Sequence, residues 1–554
     1  MNGAPLPCIY LVCLLVVVSS AFGQSVEAGA VYLSATFDED LKRWRPQGEG
    51  FSAALVASDR DGGKMARLDN SDSDKNAFLG VQAGPVGKAL CFSVLAKSAG
   101  PEGCKIGLHR YAGPIAWSEV GDTWQKVTAR LTSHAEVPSW YIVVPPRSVV
   151  LVDNAQLTQM VMTSKEREAR LAVLRIQARD KAVAALQASE LVLPLPDPWQ
   201  GVWGQFPVGF FTVRRTSDRK ISLEEILGEL SDCGVNFAHN SDFEDWPEHT
   251  ARYEALNSNG VAEGYLDTAQ RRGIGVMMAF DRMMAMRADL ASIRTRVSAL
   301  RGHAALRAWY LMDEPDIHGA RPEDLQKVYG AIKELDPEHP VVMTISDHER
   351  IGEYESACDV VMVDTYPISP YPPICVAPAI ERALEQTEGR KPVWSAVQVH
   401  NNDLHHVLRG DELASLIDPP RPPTLAEVRC MTYLSLAHGA SGIIFYAYDA
   451  WKYGKVYDDP ALYKGIRELA GEVAQLSPAL LRACMARGIQ PGRDGTLVSY
   501  IVRGGATEDE LLIAANGFDR ATGPVELPIG PDRTVTVELE PYGTLVAKAA
   551  DLLP

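Results

Sequence analysis

The sequence predicts a multidomain protein in which a (β/α)8 TIM barrel lies between two β-sandwich domains. The chain has 554 residues, more than one hydrophobic core usually serves. Apolar, β-type runs alternate with helical segments over residues 199–481. Short alternating runs, separated by Gly, Asp, Ser and Pro, occur before and after that stretch. These three observations together favour the multidomain architecture.

The first 23 residues predict a signal peptide. Residues 9–18 are almost wholly apolar, and small residues follow at 19–21. This run is too short to span a bilayer comfortably, which favours a cleaved signal over a membrane anchor. We therefore expect a secreted or periplasmic protein with no integral membrane segment in its mature form.

The segments after the signal differ in pattern. Residues 24–161 predict an antiparallel sandwich of jelly-roll type. Residues 163–190 contain neither Gly nor Pro, and with the Pro-rich stretch that follows they predict a helical linker over 162–198. Residues 482–554 again alternate like strands and predict a small C-terminal β-sandwich.

Eight strand–helix units are predicted between the two sandwiches. Their strands begin near Pro207, Val235, Ile274, Ala308, Val341, Val360, Pro392 and Ser441. Eight such units in sequence are typical of a (β/α)8 barrel. The interval between the fifth and sixth strands is short, so the helix there must be small.

Composition excludes some functions and leaves others open. The formal net charge of −17 argues against a nucleic-acid partner, whose phosphates would be repelled. No CxxC or other paired-ligand spacing indicates a metal, and we expect no cofactor. Of the seven cysteines beyond the signal, Cys91 and Cys104 are a possible disulfide. The oligomeric state is left open.

The ends of the predicted barrel strands carry carboxylates and aromatic rings. Active sites of such barrels lie at these C-terminal ends. Carboxylic acids donate protons and carboxylates stabilise an oxocarbenium-like transition state, whereas a phosphate site would carry Gly-rich turns and basic residues. This pattern indicates a carbohydrate substrate. The candidate residues are His239 and Asn240 (strand two), Asp313 and Glu314 (four), Asp364 and Tyr366 (six), Gln398 (seven), and Tyr448, Asp449 and Trp451 (eight).

Residues 309–315, Trp-Tyr-Leu-Met-Asp-Glu-Pro, resemble the fourth-strand motif of clan A glycoside hydrolases, the β-galactosidase and cellulase superfamily. Residues 364–367 resemble that family's sixth-strand segment, and Trp451 resembles its eighth-strand tryptophan. The resemblance implies an exported glycoside hydrolase that cleaves O-glycosidic bonds of a poly- or oligosaccharide, with Glu314 as general acid/base. Asp313 would be its charged neighbour. In the alternative interpretation, residues 313–315 only cap a following helix.

The N-terminal segment also carries a resemblance. Phe37 with Trp44, and the segments 59–63, 123–127 and 152–157, resemble jelly-roll carbohydrate-binding modules. This implies glycan binding by the first domain. A sandwich that acts only as a spacer is the alternative, because fold alone does not define function.

Strand seven departs from the family pattern. Gln398 stands where the resemblance implies a nucleophilic Glu, and an amide cannot take that role. Three possibilities remain. In the first, another carboxylate takes the missing catalytic role, and the candidates are Asp364, Asp449, Asp403 and Asp281. If that carboxylate lies far enough from Glu314 to leave room for a water molecule, the reaction would invert the anomeric configuration. The Asp313–Glu314 pair acts as in hexosaminidases, where the substrate's own acetamido group attacks. In the third, the barrel is a noncatalytic glycan-binding protein built on a degenerate hydrolase fold.

Overall fold

The computed structural model describes residues 31–35, 44–48, 51–57, 64–82, 89–100, 102–110, 115–132, 139–159, 164–189, 194–196, 204–214, 219–244, 259–409, 413, 416–417, 419–450, 453–504 and 510–553. The predicted signal peptide and Trp451 lie outside these residues. The chain forms two compact units, Met1–Ala169 with His406–Asp418, and Arg170–His405 with Pro419–Pro554.

The first unit is a sandwich of two antiparallel sheets. One sheet has the order β3-β4-β11-β6-β9, with β1 paired to β11, and the other has the order β2-β5-β10-β7-β8. Alternate residues point inward from both sheets, and their core includes Phe92 and Trp140. The strands are β1 Val31–Ala35, β2 Arg45–Gln47, β3 Ser52–Ala57, β4 Lys64–Asn70, β5 Ala77–Gln82, β6 Ala89–Ser98, β7 Cys104–Arg110, β8 Ile115–Val120, β9 Gln125–Thr132, β10 Ser139–Val144 and β11 Ser148–Gln159.

The possible disulfide between Cys91 and Cys104 is not formed. Cys104 is a free thiol. The physical reason is that Cys91 lies on β6 and Cys104 on β7, which belong to opposite sheets of the sandwich. The two strands are not hydrogen-bonded neighbours, so strand pairing does not bring the two residues side by side.

Eight parallel strands close into a barrel in the second unit, with β12 paired to both β13 and β19. Most barrel strands are buried along their whole length, which is why their sequences are continuously apolar rather than alternating. The strands are β12 Val208–Phe210, β13 Phe237–His239, β14 Gly275–Ala279, β15 Leu306–Met312, β16 Val341–Ile345, β17 Val360–Val363, β18 Val393–Gln398 and β19 Gly442–Tyr446.

Helices connect these strands. Two begin with a complete capping box, at Ser222 with Glu225 and at Thr424 with Glu427. The helices are α1 Ser164–Ala188, α2 Leu223–Ser231, α3 Asn259–Arg271, α4 Arg282–Met286, α5 Leu290–Leu300, α6 Pro315–His318, α7 Pro322–Leu335, α8 Ile351–Tyr354, α9 Ala377–Gln386, α10 Asn402–Arg409, α11 Leu425–Ala437, α12 Pro460–Gln475 and α13 Ser477–Leu480. Only short helical turns, α8 among them, separate the fifth and sixth strands, as predicted.

The C-terminal part of the second unit is a smaller antiparallel structure. A sheet of order β20-β21-β22-β25 and the hairpin β23-β24 share one apolar core. The strands are β20 Cys484–Pro491, β21 Leu497–Arg503, β22 Leu511–Asn516, β23 Pro524–Gly530, β24 Arg533–Glu538 and β25 Thr544–Lys548. A buried ion pair joins Arg487 of β20 to Glu381 of α9 at 2.7 Å.

The predicted architecture is therefore confirmed as a closed parallel barrel with antiparallel β-structure before and after it. The jelly-roll detail of the first domain stays a prediction. In the part of the chain that the structure describes, no helix is both long enough and apolar enough to cross a membrane.

Candidate active site

Glu314 lies just beyond the end of β15, in a left-handed backbone conformation with φ 43° and ψ 56°. Its N–H donates to the carbonyl of Thr344 on the neighbouring strand at 3.2 Å. The residue precedes α6, yet its side chain makes no capping hydrogen bond, which contradicts the interpretation of this motif as a helix cap. A non-glycine residue in this conformation costs about 1–2 kcal/mol, and such residues cluster at functional sites.

Asp364 reaches the same place from the end of β17. Burial raises the pKa of Asp364 well above its ordinary range, and the charge of Glu314 together with a hydrogen bond to the Glu314 side chain raises it further. Its Oδ1 atom is buried without a hydrogen-bond partner among the described residues. Glu314 and Asp364 are therefore a hydrogen-bonded carboxyl pair in which Asp364 favours the protonated form.

Asp313 is oriented by Tyr310, three residues earlier on the same strand. The Tyr310 hydroxyl donates to Oδ1 of Asp313 at 2.5 Å and lies 2.6 Å from the hydroxyl of Thr344. Burial raises the pKa of Asp313 well above its ordinary range, and the nearby charges of Glu244 and Glu314 add to this effect. Thr344 thus supports Asp313 through Tyr310 and Glu314 through the backbone.

Glu244 is a fourth carboxyl of this cluster, and the sequence pattern did not indicate it. It follows the short helical turn Ser241–Phe243 after β13 and is only 5% exposed. Burial raises the pKa of Glu244 to about 8; Arg282 opposes this shift and Glu314 increases it. Nε2 of His239 lies 3.0 Å from Oε1 of Glu244, and burial lowers the pKa of this histidine to about 3, so the ring is neutral.

Aromatic rings form one side of the site. Tyr366 stacks on Tyr446 with ring centroids 5.2 Å apart, and His400 packs edge-on against both. Burial raises the pKa of both tyrosines well above 10, so their hydroxyls stay protonated. Both rings are half-buried, which leaves part of their surface accessible from the barrel mouth.

Gln398 is fully buried and its amide is occupied by backbone groups. Its oxygen accepts from the N–H of Ile368 at 2.8 Å, and its nitrogen donates to the carbonyls of Ile368 and His400. This arrangement uses both the donor and the acceptor of an amide, which a carboxylate could not provide. The departure from Glu at this position therefore has a structural reason.

Tyr448 and Asp449, two of the strand-eight predictions, both contact arginine side chains. The Tyr448 hydroxyl is 2.5 Å from Nη1 of Arg219, and its ring packs against Tyr457. Asp449 is 3.4 Å from Arg214, which also pairs with Asp242 at 2.7 Å. These contacts pair both predicted residues with arginine side chains, and their role in sugar binding stays a prediction.

Asp281 and Asp403, two further candidates for the second catalytic carboxylate, bind backbone groups. Asp281 accepts from the N–H of Met284 and caps α4, and Asp403 accepts from the N–H groups of Ser369 and Arg421. The predicted residue Asn240 likewise accepts from the N–H of Asp242. All three side chains therefore hold local backbone in place.

The structure thus brings together Asp313, Glu314, Asp364 and Tyr366 of the predicted set, and it places His239 behind Glu244. Glu244 and Tyr446 join them. Tyr446 is the last residue of its strand, and the sequence indicated it as the last aromatic residue of an apolar run. The sequence did not indicate Glu244, because a helical turn separates this residue from its strand. Within the described ranges, no group of three or more His, Cys, Asp or Glu side chains is arranged to hold a metal ion.

Comparison with known proteins gives no family. No family model matches the chain, and no curated protein matches it. Among solved structures, a debranching enzyme of Nostoc punctiforme is 14% identical, with a TM-score of 0.42 over 64% of this chain and 99% of that one. An α-amylase of Geobacillus thermoleovorans is 12% identical, with a TM-score of 0.41 over 63% and 98%. A xylanase of Clostridium thermocellum is 10% identical, with a TM-score of 0.32 over 79% and 97%.

Proposed function

We propose that the protein is an exported glycoside hydrolase that cleaves O-glycosidic bonds of an oligo- or polysaccharide at the mouth of its barrel. One observation carries the proposal: the hydrogen-bonded carboxyls of Glu314 and Asp364, at the ends of strands four and six, lie beside the half-buried rings of Tyr366 and Tyr446. Glycosyl transfer requires carboxyl groups that donate and accept a proton, and flat apolar surfaces beside them suit a sugar ring.

In this proposal Glu314 is the general acid. When the sugar binds, the proton that Asp364 holds in the pair passes to Glu314, which leaves Asp364 as a carboxylate. Glu314 then transfers this proton to the glycosidic oxygen as the C1–O bond breaks, and the alcohol half leaves. Water then adds to C1, and the proton it releases returns to the carboxylate, so that the acid is regenerated. Asp313 binds the sugar beside Glu314, and Tyr310 orients it.

Asp364 is the second carboxyl of the reaction. It is hydrogen-bonded to Glu314 without a substrate, and a bound sugar would separate the two groups. If Asp364 attacks C1, the anomeric configuration is retained; if it activates water, the configuration inverts. Proton NMR of the first product distinguishes the two outcomes.

The test is hydrolysis of a panel of aryl glycosides and polysaccharides by the mature protein. We expect turnover that falls at least about a hundredfold in Glu314→Gln and in Asp364→Asn, as expected for loss of a general acid or base. Glu323→Gln, an exposed carboxylate on α7, is the matched control and should keep full activity. Glycan binding without turnover, unchanged in Glu314→Gln, would instead support a noncatalytic binding protein.

The outward face of the sheet β2-β5-β10-β7-β8 supports a second part of the proposal, glycan binding by the first domain. Tyr141 lies over Gly80, so closely that a Cβ there would be 2.6 Å from its ring. Trp117 lies beside Gly107 and is 40% exposed. Glycine beneath a ring lets the ring lie flat on the sheet, and flat rings suit the faces of sugars.

Affinity electrophoresis in gels containing polysaccharides tests this part. We expect retardation by at least one glycan that is lost in the double variant Trp117→Ala/Tyr141→Ala. Met485→Ala, which removes an exposed apolar side chain of β20, is the control. Equal retardation of the double variant and the intact protein would favour the alternative interpretation, in which the sandwich acts only as a spacer.

A further inference from the structure

A cavity of about 570 Å³ lies between α2 and α12, the helices that follow the first and the last strand of the barrel. Glu229 of α2 lines it together with Tyr463 and Arg467 of α12, and Tyr457 and Asp458 line it from the segment before α12. No residue of the candidate active site belongs to this lining. Pockets of about 300–1,000 Å³ hold small ligands, so the cavity is large enough for a sugar residue.

Cations surround the two tyrosine rings of this cavity, although the chain as a whole has a formal net charge of −17. Cζ of Arg467 lies 4.7 Å from the centre of the Tyr463 ring. Cζ of Arg219 and Nζ of Lys455 lie 5.2 Å and 5.8 Å from the centre of the Tyr457 ring. The negative face of an aromatic ring attracts a cation, so the rings hold positive charge beside the cavity.

The two carboxylates that line the cavity bind other groups. Glu229 accepts from both terminal nitrogens of Arg219, at 2.9 Å and 3.0 Å, and so neutralises this cation. Asp458 accepts from the N–H of Lys455 at 3.2 Å. Nε of Arg467, in contrast, is buried without a hydrogen-bond partner among the residues that the structure describes. Arg467 therefore brings to the cavity a positive charge and an N–H group that lacks an acceptor.

A carboxylate is the ligand group that this arginine suits. A guanidinium stays charged in proteins, and its planar fork donates two parallel hydrogen bonds to the two oxygens of a carboxylate. The Tyr457 ring is half-buried, so part of its flat surface is accessible to the body of the same ligand.

From this arrangement we infer that the cavity is a second carbohydrate site, in which Arg467 binds the carboxylate of a uronic-acid residue and the sugar ring lies against Tyr457. The site is separate from the candidate active site, because the two share no residue. The choice of a sugar as the body of the ligand rests on the proposed function.

The test compares sugars that differ only at C6. Galacturonate is paired with galactose and glucuronate with glucose, and their affinities for the intact protein are measured by NMR titration. We expect at least one acid to bind roughly tenfold tighter than its neutral partner, the gain from a charge-assisted hydrogen bond. Raising the salt concentration should reduce this advantage, because ions screen the attraction. Acetate and sulfate, titrated in the same way, measure the affinity for an anion without a sugar ring.

Four variants locate the acid. Arg467→Gln should reduce its affinity to about that of the neutral sugar, because an amide carries no charge. Lys464→Gln, three residues earlier on α12 with a side chain 71% exposed, is the matched control and should keep the preference. Tyr457→Ala should weaken binding of the acid and the neutral sugar alike. Glu314→Gln should bind the acid as tightly as the intact protein does. A melting temperature recorded for each variant verifies that it is folded.

Several results would overturn this inference. Equal binding of acid and neutral sugar would do so, as would an acid preference that survives in Arg467→Gln or disappears in Glu314→Gln, because the acid would then bind elsewhere. Acetate or sulfate that binds as tightly as galacturonate would show a simple anion site and overturn the assignment of a sugar.

Failure of the inference is distinct from failure of the proposed function. Hydrolysis that depends on Glu314, together with equal binding of acid and neutral sugar, would overturn the inference and keep the function. An acid preference that depends on Arg467, without hydrolysis of any glycan, would support the second site and overturn the function.

Discussion

The hydroxyl of Tyr310 lies 2.5 Å from Oδ1 of Asp313, and the two residues are three positions apart at the end of one barrel strand. The hydroxyl also lies 2.6 Å from that of Thr344 on the next strand. The acid beside Glu314 is therefore held by a buried phenol, and the phenol is held by the adjacent strand. The first prediction concerns removal of the Tyr310 hydroxyl.

Tyr310→Phe should lower kcat by about tenfold or more while leaving the fold intact, because Asp313 loses the hydroxyl that orients it and becomes free to rotate. The free energy of unfolding should fall by about 1–3 kcal/mol, since the hydroxyl of Thr344 also loses a partner. Tyr354→Phe removes a hydroxyl that donates to the carbonyl of Ala320, and it should change stability but not kcat. Equal effects of both variants on kcat would contradict the orienting role.

Glu244→Gln should change how stability depends on pH. The folded pKa of Glu244, about 8, is above its value in the unfolded chain. Between the two values the folded state keeps a proton that the unfolded state has lost, so stability falls as pH rises through this window. An amide has no proton to lose, so the melting temperature of the variant relative to the intact protein should increase from about pH 5 to about pH 8.

Differential scanning calorimetry at several pH values measures this trend. Glu323→Gln is the control, and its difference from the intact protein should stay constant with pH. A constant difference for Glu244→Gln as well would mean that this carboxyl titrates normally.

Glu314→Gly should be more stable than Glu314→Ala by about 1 kcal/mol, although both should lack activity. The φ of 43° at this position suits glycine, which has no Cβ to collide with the backbone. Chemical denaturation of the two variants measures the difference. Glu263, an exposed residue inside α3, is the control, because its Gly variant should be less stable than its Ala variant. The same order at both positions would argue against a strained backbone at Glu314.

Gln398→Glu should destabilise the protein by about 2–4 kcal/mol and should not raise activity, although it introduces the carboxylate that the sequence resemblance implies. The new carboxylate would face the carbonyls of Ile368 and His400, to which the amide now donates. Gln386, which accepts from the N–H of Gly352 and donates to the carbonyl of His348, is a half-buried control. Its Glu variant should lose less stability, and a gain of activity in Gln398→Glu would show that strand seven can supply a nucleophile.

The site residues that could be predicted from the sequence are those that follow directly after the end of a barrel strand. Asp313, Glu314 and Asp364 come directly after apolar runs, and parallel strands of a closed barrel bring such residues to one mouth. Glu244 was not predictable in this way, because a helical turn between it and β13 redirects the chain. Tyr448 was predicted for the same mouth, and its side chain contacts Arg219 and Tyr457, a packing arrangement that the local sequence did not indicate.

The sequence by itself determined the order of the domains and the identity of the barrel, because hydrophobic periodicity is a local property of the chain. Only the tertiary structure decided which carboxyls meet, since Glu244 and Asp364 are separated by more than a hundred residues and converge only when the barrel closes. The shared burial that raises their pKa values exists only after that closure, because an unfolded chain leaves every carboxyl in water.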